Sequence, residues 1–271
     1  MNASATDRAH PVFSMNPVIV DTFIASRGAV HVGRGAALVA ARKGDRLRAG
    51  TRLRTGSTGF ALLVIGSTGV RVGPWTVVEL TRAGHVKLER GRLYVDSGAL
   101  EREAGSLVID SVHGRVTHGR ARYQLRLDPM ALSVDVRDGC VWIERGAAPR
   151  QSLERGEGVD LFKNGAARRV AVAPCGARWA WTCTLVPELA IHGRPLSAFL
   201  DWYSAQTGLS VTLGDQVTRE LLDRTLLYGN IKGLAPADAL AVVAHMTQLD
   251  FTVHRTGELT IERREMAETG T

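Results

Sequence analysis

Cysteine, lysine and long apolar runs are all scarce in this chain of 271 residues. The three cysteines, Cys140, Cys175 and Cys183, form no C-x-x-C pair, which excludes a structural zinc cluster and a disulfide-rich scaffold. Cys175 and Cys183 flank the segment that holds Trp179 and Trp181. They are either one disulfide bridge or two buried thiols.

Apolar runs are short everywhere, the longest being FALLVI at 60–65. No window of 18 apolar residues exists, so the sequence predicts no membrane-spanning helix. The first residues, MNASATDR, lack a charged segment followed by an apolar one, so no signal peptide is predicted either.

Charge is unevenly distributed along the chain. Lys and Arg number 34 against 27 Asp and Glu, a net charge of +7. Residues 1–183 carry 27 basic and 16 acidic side chains, whereas residues 184–263 carry 6 and 9. A basic first part and a mildly acidic second part are expected to attract one another, so the charge does not indicate a nucleic-acid partner.

The first part reads as an all-β sandwich or barrel. Between 27 and 172, apolar and polar residues alternate in short runs that are separated by glycine turns, and no run has helical periodicity. The peptide Gly-Ser-Thr-Gly occurs at 56–59 and at 66–69, on both sides of the run 60–65. Both copies are predicted to be hairpin tips, since a phosphate loop would require a following helix and a lysine.

The second part reads as a small α/β unit of about 80 residues with repeated strand, helix and strand. Pro195 is expected to begin a helix that Gly208 ends, and a second helix is expected at 236–246. The other predicted elements are strands at 188–192, 209–213 and 225–231, a helical turn at 217–222, and a hairpin of 251–254 with 259–261. The predicted organisation is an N-terminal tail (1–26), a β domain (27–172), a linker (173–183), an α/β domain (184–263) and a C-terminal tail (264–271).

No catalytic or metal-binding pattern stands out. The eight histidines are scattered; only His113 and His118 are close together, and we interpret them as surface or turn residues rather than ligands. No G-x-S-x-G pentapeptide occurs, and Asp96-Ser97-Gly98 reads as a turn. We therefore predict a non-enzymatic protein without cofactor or metal.

Two other residue groups have simple structural interpretations. The basic residues between 42 and 54 alternate with leucines and favour a solvated sheet face over an anion-binding or partner-binding patch. The five tryptophans have no repeat spacing, so we expect them in the core and at the domain junction rather than on a stacking platform. These tryptophans are Trp75, Trp142, Trp179, Trp181 and Trp202.

Several blocks of the first part, in order, resemble the FecR domain. They are 44–56 (GDRLRAGTRLRTG), 59–64 (GFALLV), 66–76 (GSTGVRVGPWT), 88–97 (LERGRLYVDS), 134–139 (VDVRDG) and 155–158 (RGEG). The second part resembles the STN module, the short N-terminal module of secretins and TonB-dependent receptors, through 191–202 (IHGRPLSAFLDW), 207–208 (TG), 234–240 (LAPADAL) and the final hairpin.

This resemblance implies a mainly β, sandwich-like FecR domain followed by a small STN-like α/β domain. It also implies a non-enzymatic role in periplasmic signalling and iron-uptake regulation. The implied partner is the signalling domain of a TonB-dependent outer-membrane transporter, with a sigma factor affected indirectly. The alternative is a structural module of an envelope or secretion assembly without a signalling role.

The strand around Leu226, Tyr228 and Asn230 is our candidate for partner binding. An exposed strand edge gives main-chain hydrogen bonds to a partner, and its alternate side chains give specificity. The competing interpretation is an interior strand with Leu226 and Tyr228 in the core.

Overall fold

The computed structural model describes residues 21–35, 37–98 and 107–264. Fifteen strands of the first part join in one continuous hydrogen-bonded system. They are β1 (Asp21–Arg27), β2 (Val30–Arg34), β3 (Ala37–Ala40), β4 (Arg46–Leu47), β5 (Thr51–Thr55), β6 (Phe60–Ile65), β7 (Thr68–Val72), β8 (Val77–Arg82), β9 (His85–Asp96), β10 (Val108–Ser111), β11 (Gly114–Leu127), β12 (Ala131–Glu144), β13 (Gln151–Glu154), β14 (Glu157–Phe162) and β15 (Ala167–Ala171).

Three long strands, β9, β11 and β12, fold this system into two layers. One end of each long strand belongs to the first layer, whose strand order is β4-β1-β6-β7-β9-β11-β12-β14-β15. The other end belongs to the second layer, whose strand order is β3-β2-β5-β8-β9-β10-β11-β12-β13. Buried side chains from both layers form one hydrophobic cluster. The structure therefore confirms the mainly β, sandwich-like fold.

Strand β5 shows why alternation predicts this core. Leu53 is fully buried, whereas Arg54 is exposed and Arg52 pairs with Glu89 at the surface. The other basic residues of the group face solvent, as expected for a solvated sheet face; they are Arg42, Lys43, Arg46 and Arg48.

The two Gly-Ser-Thr-Gly copies differ in role. The second is the tip of the β6–β7 hairpin, where Ile65 is the register partner of Thr68, as predicted. The first connects β5 to β6, which do not pair with each other, so the prediction of a hairpin tip was wrong there. It is a corner between layers, and a Cβ at Gly59 would lie 2.3 Å from the Ala29 oxygen.

Strand β1 extends into the segment predicted to be the N-terminal tail. It pairs with β4 and β6, and Phe23 is fully buried. Residues 21–26 are thus part of the sandwich, a role that their short run of only three apolar residues did not reveal. The rest of the predicted tail, 1–20, lies outside the described residues, as does 265–271.

The α/β domain contains three helices: α1 (Leu196–Thr207), α2 (Arg219–Arg224) and α3 (Pro236–Met246). Its strands are β16 (Arg194–Pro195), β17 (Ser210–Leu213), β18 (Leu226–Leu227), β19 (Leu249–Val253) and β20 (Glu258–Arg263). The sheet order is β17-β20-β19, with β17 parallel to β20, and β16 pairs with β18 alone.

Local signals located α1 and α3 well, whereas the helical turn predicted at 217–222 lies two residues later, as α2. Pro195 precedes α1, and Gly208 ends it with φ +78°, a left-handed conformation that favours glycine. Helix α3 has the predicted bounds, and the final hairpin is formed by β19 and β20.

Two predicted strands of this domain were wrong. Residues 188–192 form no strand; this segment runs beside α1, where Trp202 Nε1 donates to the Pro187 oxygen at 3.0 Å. The strand predicted at 225–231 is reduced to β18, because Gly229 adopts φ +150° and Asn230 Oδ1 accepts a hydrogen bond from the Lys232 amide at 2.8 Å. The strand therefore ends after two residues, where the Gly229 backbone and the Asn230 side chain form a turn.

His113 and His118 were predicted to be surface or turn residues, and burial contradicts the surface interpretation for both. His113 lies in the β10–β11 turn yet is only 5% exposed. His118 lies on β11, with its ring centroid 5.4 Å from that of Tyr123. Its Nδ1 is 2.6 Å from the Gly119 oxygen.

Burial lowers the pKa of His118, and the hydrogen bond to Gly119 opposes this only partly. As pH falls, the unfolded chain therefore takes up this proton before the folded protein does. Neutral, buried His118 therefore contributes fully to the free energy of unfolding above the ordinary histidine pKa of about 6.5, and this contribution is lost as pH falls below that value.

We expect the free energy of unfolding to fall between pH 7.5 and pH 5.5 more steeply in the wild type than in His118→Phe, which cannot titrate. Each unit of pKa difference corresponds to about 1.4 kcal/mol. Urea denaturation at several pH values measures both slopes, and equal slopes would contradict the assignment.

Candidate functional site

The structure places all three predicted partner-binding residues at the surface. Leu226 is 47% and Tyr228 59% exposed, whereas Leu227 between them is buried. The competing interpretation, with Leu226 and Tyr228 in the core, is therefore wrong. Asn230 is also exposed, but its side chain is engaged in the local turn with Lys232.

These residues adjoin further side chains that we call the β18 patch: His192, Leu226, Tyr228 and Met246. The His192 and Tyr228 rings meet edge to face, with centroids 5.4 Å apart. A Cβ at Gly229 would lie 2.5 Å from Met246 Cε, so the methionine covers this glycine. Within the described ranges, β18 pairs only with β16. The patch thus combines a strand with one pairing partner and exposed aromatic and thioether groups, which suit protein contacts.

A second feature is the junction between the two domains. Residues 173–183, predicted to be a linker, contain a 3-10 helix over Ala177–Cys183 that packs on the outer face of the sandwich. Trp179 of this helix is 1% exposed and meets Tyr94 edge to face at 6.2 Å. Its Nε1 donates to the Ala173 oxygen at 2.7 Å.

The prediction that the tryptophans lie in the core or at the domain junction is confirmed for Trp179, Trp181 and Trp202 and is wrong for Trp75. Trp179 and Trp181 both contact sandwich residues, and Trp202 packs on the α/β core. Trp75, in contrast, is 61% exposed in a turn.

Two buried arginines connect the sandwich to the α/β domain. Arg71 donates from Nη1 to the Thr182 oxygen at 2.6 Å and from Nη2 to Gln206 Oε1. Arg137 donates from Nη1 to the main-chain oxygen of Gln206 at 2.9 Å. Because Gln206 lies in the last turn of α1, this oxygen belongs to the negative end of the helix dipole.

Aromatic rings complete the surroundings of these arginines. The Arg137 guanidinium carbon lies 4.4 Å from the Trp179 ring centroid, and that of Arg71 lies 4.8 Å from the Tyr94 centroid. Burial lowers the pKa of Arg71, although arginine still carries its charge at neutral pH. Burial likewise raises the pKa of Tyr94.

The contacts of these two arginines do not pair opposite charges of the two domains. Both side chains bind main-chain and amide oxygens rather than carboxylates. Sequence reasoning missed Arg71 and Arg137, and the signal available was weak. Arg71 interrupts the apolar pair Val70 and Val72 in a strand whose other face is buried.

The side chains that the sequence analysis considered for catalysis, disulfide formation or metal binding form no reactive cluster within the described residues. Ser97 Oγ lies 3.0 Å from the oxygens of Gly119 and Ala121, and it accepts from the Ala121 amide. Cys175 and Cys183 are free thiols. In the ranges the structure describes, no three His, Cys, Asp or Glu side chains lie together as a metal site would require. None of the helices in those ranges has the length and hydropathy of a transmembrane span.

Comparison with known proteins yields distant structural neighbours. No protein-family model matches the chain, and no curated protein matches it. Two crystal structures, at 2.50 and 1.65 Å, are described as "a putative anti-sigma factor from Parabacteroides distasonis ATCC 8503". They are 13% and 14% identical to this chain, each with a TM-score of 0.41, and cover 78% of it and 98% of their own length.

Proposed function

We propose that this chain is a non-enzymatic signalling protein of the periplasm that regulates a sigma factor in response to a TonB-dependent outer-membrane transporter. The α/β domain binds the transporter's signalling domain, and the sandwich relays the bound state. The order of the FecR-like and STN-like sequence blocks supports this assignment.

The observation that carries the proposal is the exposure of Leu226 on β18 and of Tyr228 immediately after it. A partner strand can add to such an edge, and a partly exposed tyrosine is a typical energetic centre of a protein interface. The junction supports the relay, because Arg71 and Arg137 connect the sandwich directly to α1 and to the segment before it.

Isothermal titration calorimetry tests the proposal. The full chain is titrated with purified signalling domains of TonB-dependent transporters from the same genome. The expected result is saturable 1:1 binding of one such domain. Absence of binding to every domain would overturn the transporter relay. Self-association of the chain in sedimentation, together with that absence, would favour the envelope-scaffold alternative.

A further inference from the structure

The outer face of the sandwich carries a row of polar residues in register across five strands. Arg92 on β9 is directly opposite Arg126 on β11, which is directly opposite Ser133 on β12. The row continues to Asp160 on β14 and Arg168 on β15. Two arginines directly opposite each other repel, an arrangement that weakens a sheet unless an anion compensates it.

The nearby carboxylates are already committed to other groups. Asp160 accepts hydrogen bonds from Arg168 Nη2 at 2.8 Å and from Ser133 Oγ at 2.6 Å. Asp135, two residues beyond Ser133 on β12, receives two hydrogen bonds of 2.7 Å from Arg178. These carboxylates therefore leave the positive charge of the Arg92–Arg126 pair uncompensated.

Neither guanidinium of this pair has an ion pair or hydrogen bond with any residue in 21–35, 37–98 or 107–264. The Arg92 guanidinium carbon lies 5.7 Å from the centroid of the Trp181 ring. Burial and the neighbouring Arg126 both lower the pKa of Arg92, which agrees with an electropositive, partly dehydrated position.

A cavity of about 300 Å³ opens between these arginines and the connecting 3-10 helix. Trp181 forms one wall and is held by its Nε1, which donates to Gln124 Oε1 at 2.8 Å. The remaining lining residues are Gln124, Ser133, Asp135, Ala177 and Arg178.

We propose that this cavity binds a small oxyanion, a carboxylate or a phosphate, between Arg92 and Arg126. Planar guanidinium groups suit the paired oxygens of either anion, and the Trp181 ring accommodates the organic part of a larger ligand. Since Trp181 belongs to the segment that joins the two domains, the bound anion stabilises the junction. This inference is independent of the proposed transporter partner.

Thermal unfolding in phosphate, in citrate and in chloride tests the site, all at one ionic strength so that general screening is equal. We expect inorganic phosphate or citrate to raise the Tm of the wild type saturably, by about 3 °C at tenfold excess over Kd. A response to phosphate alone identifies a phosphate site, and a response to citrate alone a carboxylate site. The absence of any saturable shift would overturn the proposal.

Arg126→Gln is the decisive variant, because Arg126 is exposed and its replacement leaves the fold intact. We expect it to lose the anion response and, in chloride, to melt at or above the wild-type Tm, since the repulsion with Arg92 is gone. Arg54→Gln, at an exposed arginine of the other layer, is the matched control and should respond like the wild type. An equal anion response in both variants would overturn the proposal. The proposal would also be overturned if Arg126→Gln melted at a lower Tm than the wild type in chloride and kept its response to phosphate or citrate. That result would show that Arg126 has only a structural role.

Discussion

Replacing Trp179 with alanine is expected to lower the free energy of unfolding by about 3–5 kcal/mol. The side chain is almost fully buried against Tyr94 and Val172, so truncation leaves a large cavity. It also removes the ring over which Arg137 lies and the hydrogen bond to Ala173. The buried Arg137, which binds the end of α1, then loses part of its support.

We therefore expect the α/β domain of this variant to unfold at lower denaturant than the sandwich, giving two transitions in place of one. Guanidinium titration followed by circular dichroism measures both effects. Trp75→Ala, at an exposed tryptophan, is the matched control and should change stability by no more than about 0.5 kcal/mol. A loss below about 1 kcal/mol for Trp179→Ala would show that this ring does not hold the junction.

Replacing Tyr228 with arginine is expected to weaken binding of the proposed partner, a transporter's signalling domain, at least about 100-fold, which corresponds to about 2.7 kcal/mol. The change puts a charge in the centre of the β18 patch and removes the aromatic ring that meets His192. Because Tyr228 is 59% exposed, we expect the isolated protein to keep its fold and its unfolding midpoint.

Val253→Arg provides the control for this prediction. Val253 is 51% exposed on β19 of the same domain, so the substitution adds the same charge at another apolar surface position. Its affinity should stay within about threefold of the wild type if binding uses β18. Equal losses for Tyr228→Arg and Val253→Arg would indicate a general charge effect rather than a local interface.

Much of the sandwich was predictable because alternation is a local property of each strand. In β5, the inward Leu53 and the outward Arg52 and Arg54 can be identified without knowing which strands lie beside them. The bounds of α1 and α3 were predictable for a similar reason, since Pro195, Gly208 and Pro236 determine backbone geometry at their own positions.

Features that depend on distant pairing were not predictable from local pattern. The first Gly-Ser-Thr-Gly copy looks like a hairpin tip until β5 and β6 are seen to pair with different strands. Burial of Arg71 and His118 likewise depends on what packs over them: the 3-10 helix and α1 cover Arg71, and the Tyr123 ring lies against His118. Hydrophobicity alone places such polar residues at the surface.

The candidate partner site was predictable in part from local pattern and in part only from the fold. The sequence singled out Leu226 and Tyr228 within a strand predicted at 225–231; only 226–227 is a strand, but both side chains lie at the surface. The contributions of His192 and Met246 to the same patch follow only from the fold, because these residues lie on other elements.

Hydrogen exchange of the chain with and without the proposed signalling domain bound measures whether that domain docks on β18. We expect slower amide exchange at 226–229 in the complex, because a partner strand protects the edge of β18. Slower exchange confined to the sandwich, with 226–229 unchanged, would contradict the assignment of the α/β domain as the receptor-binding domain.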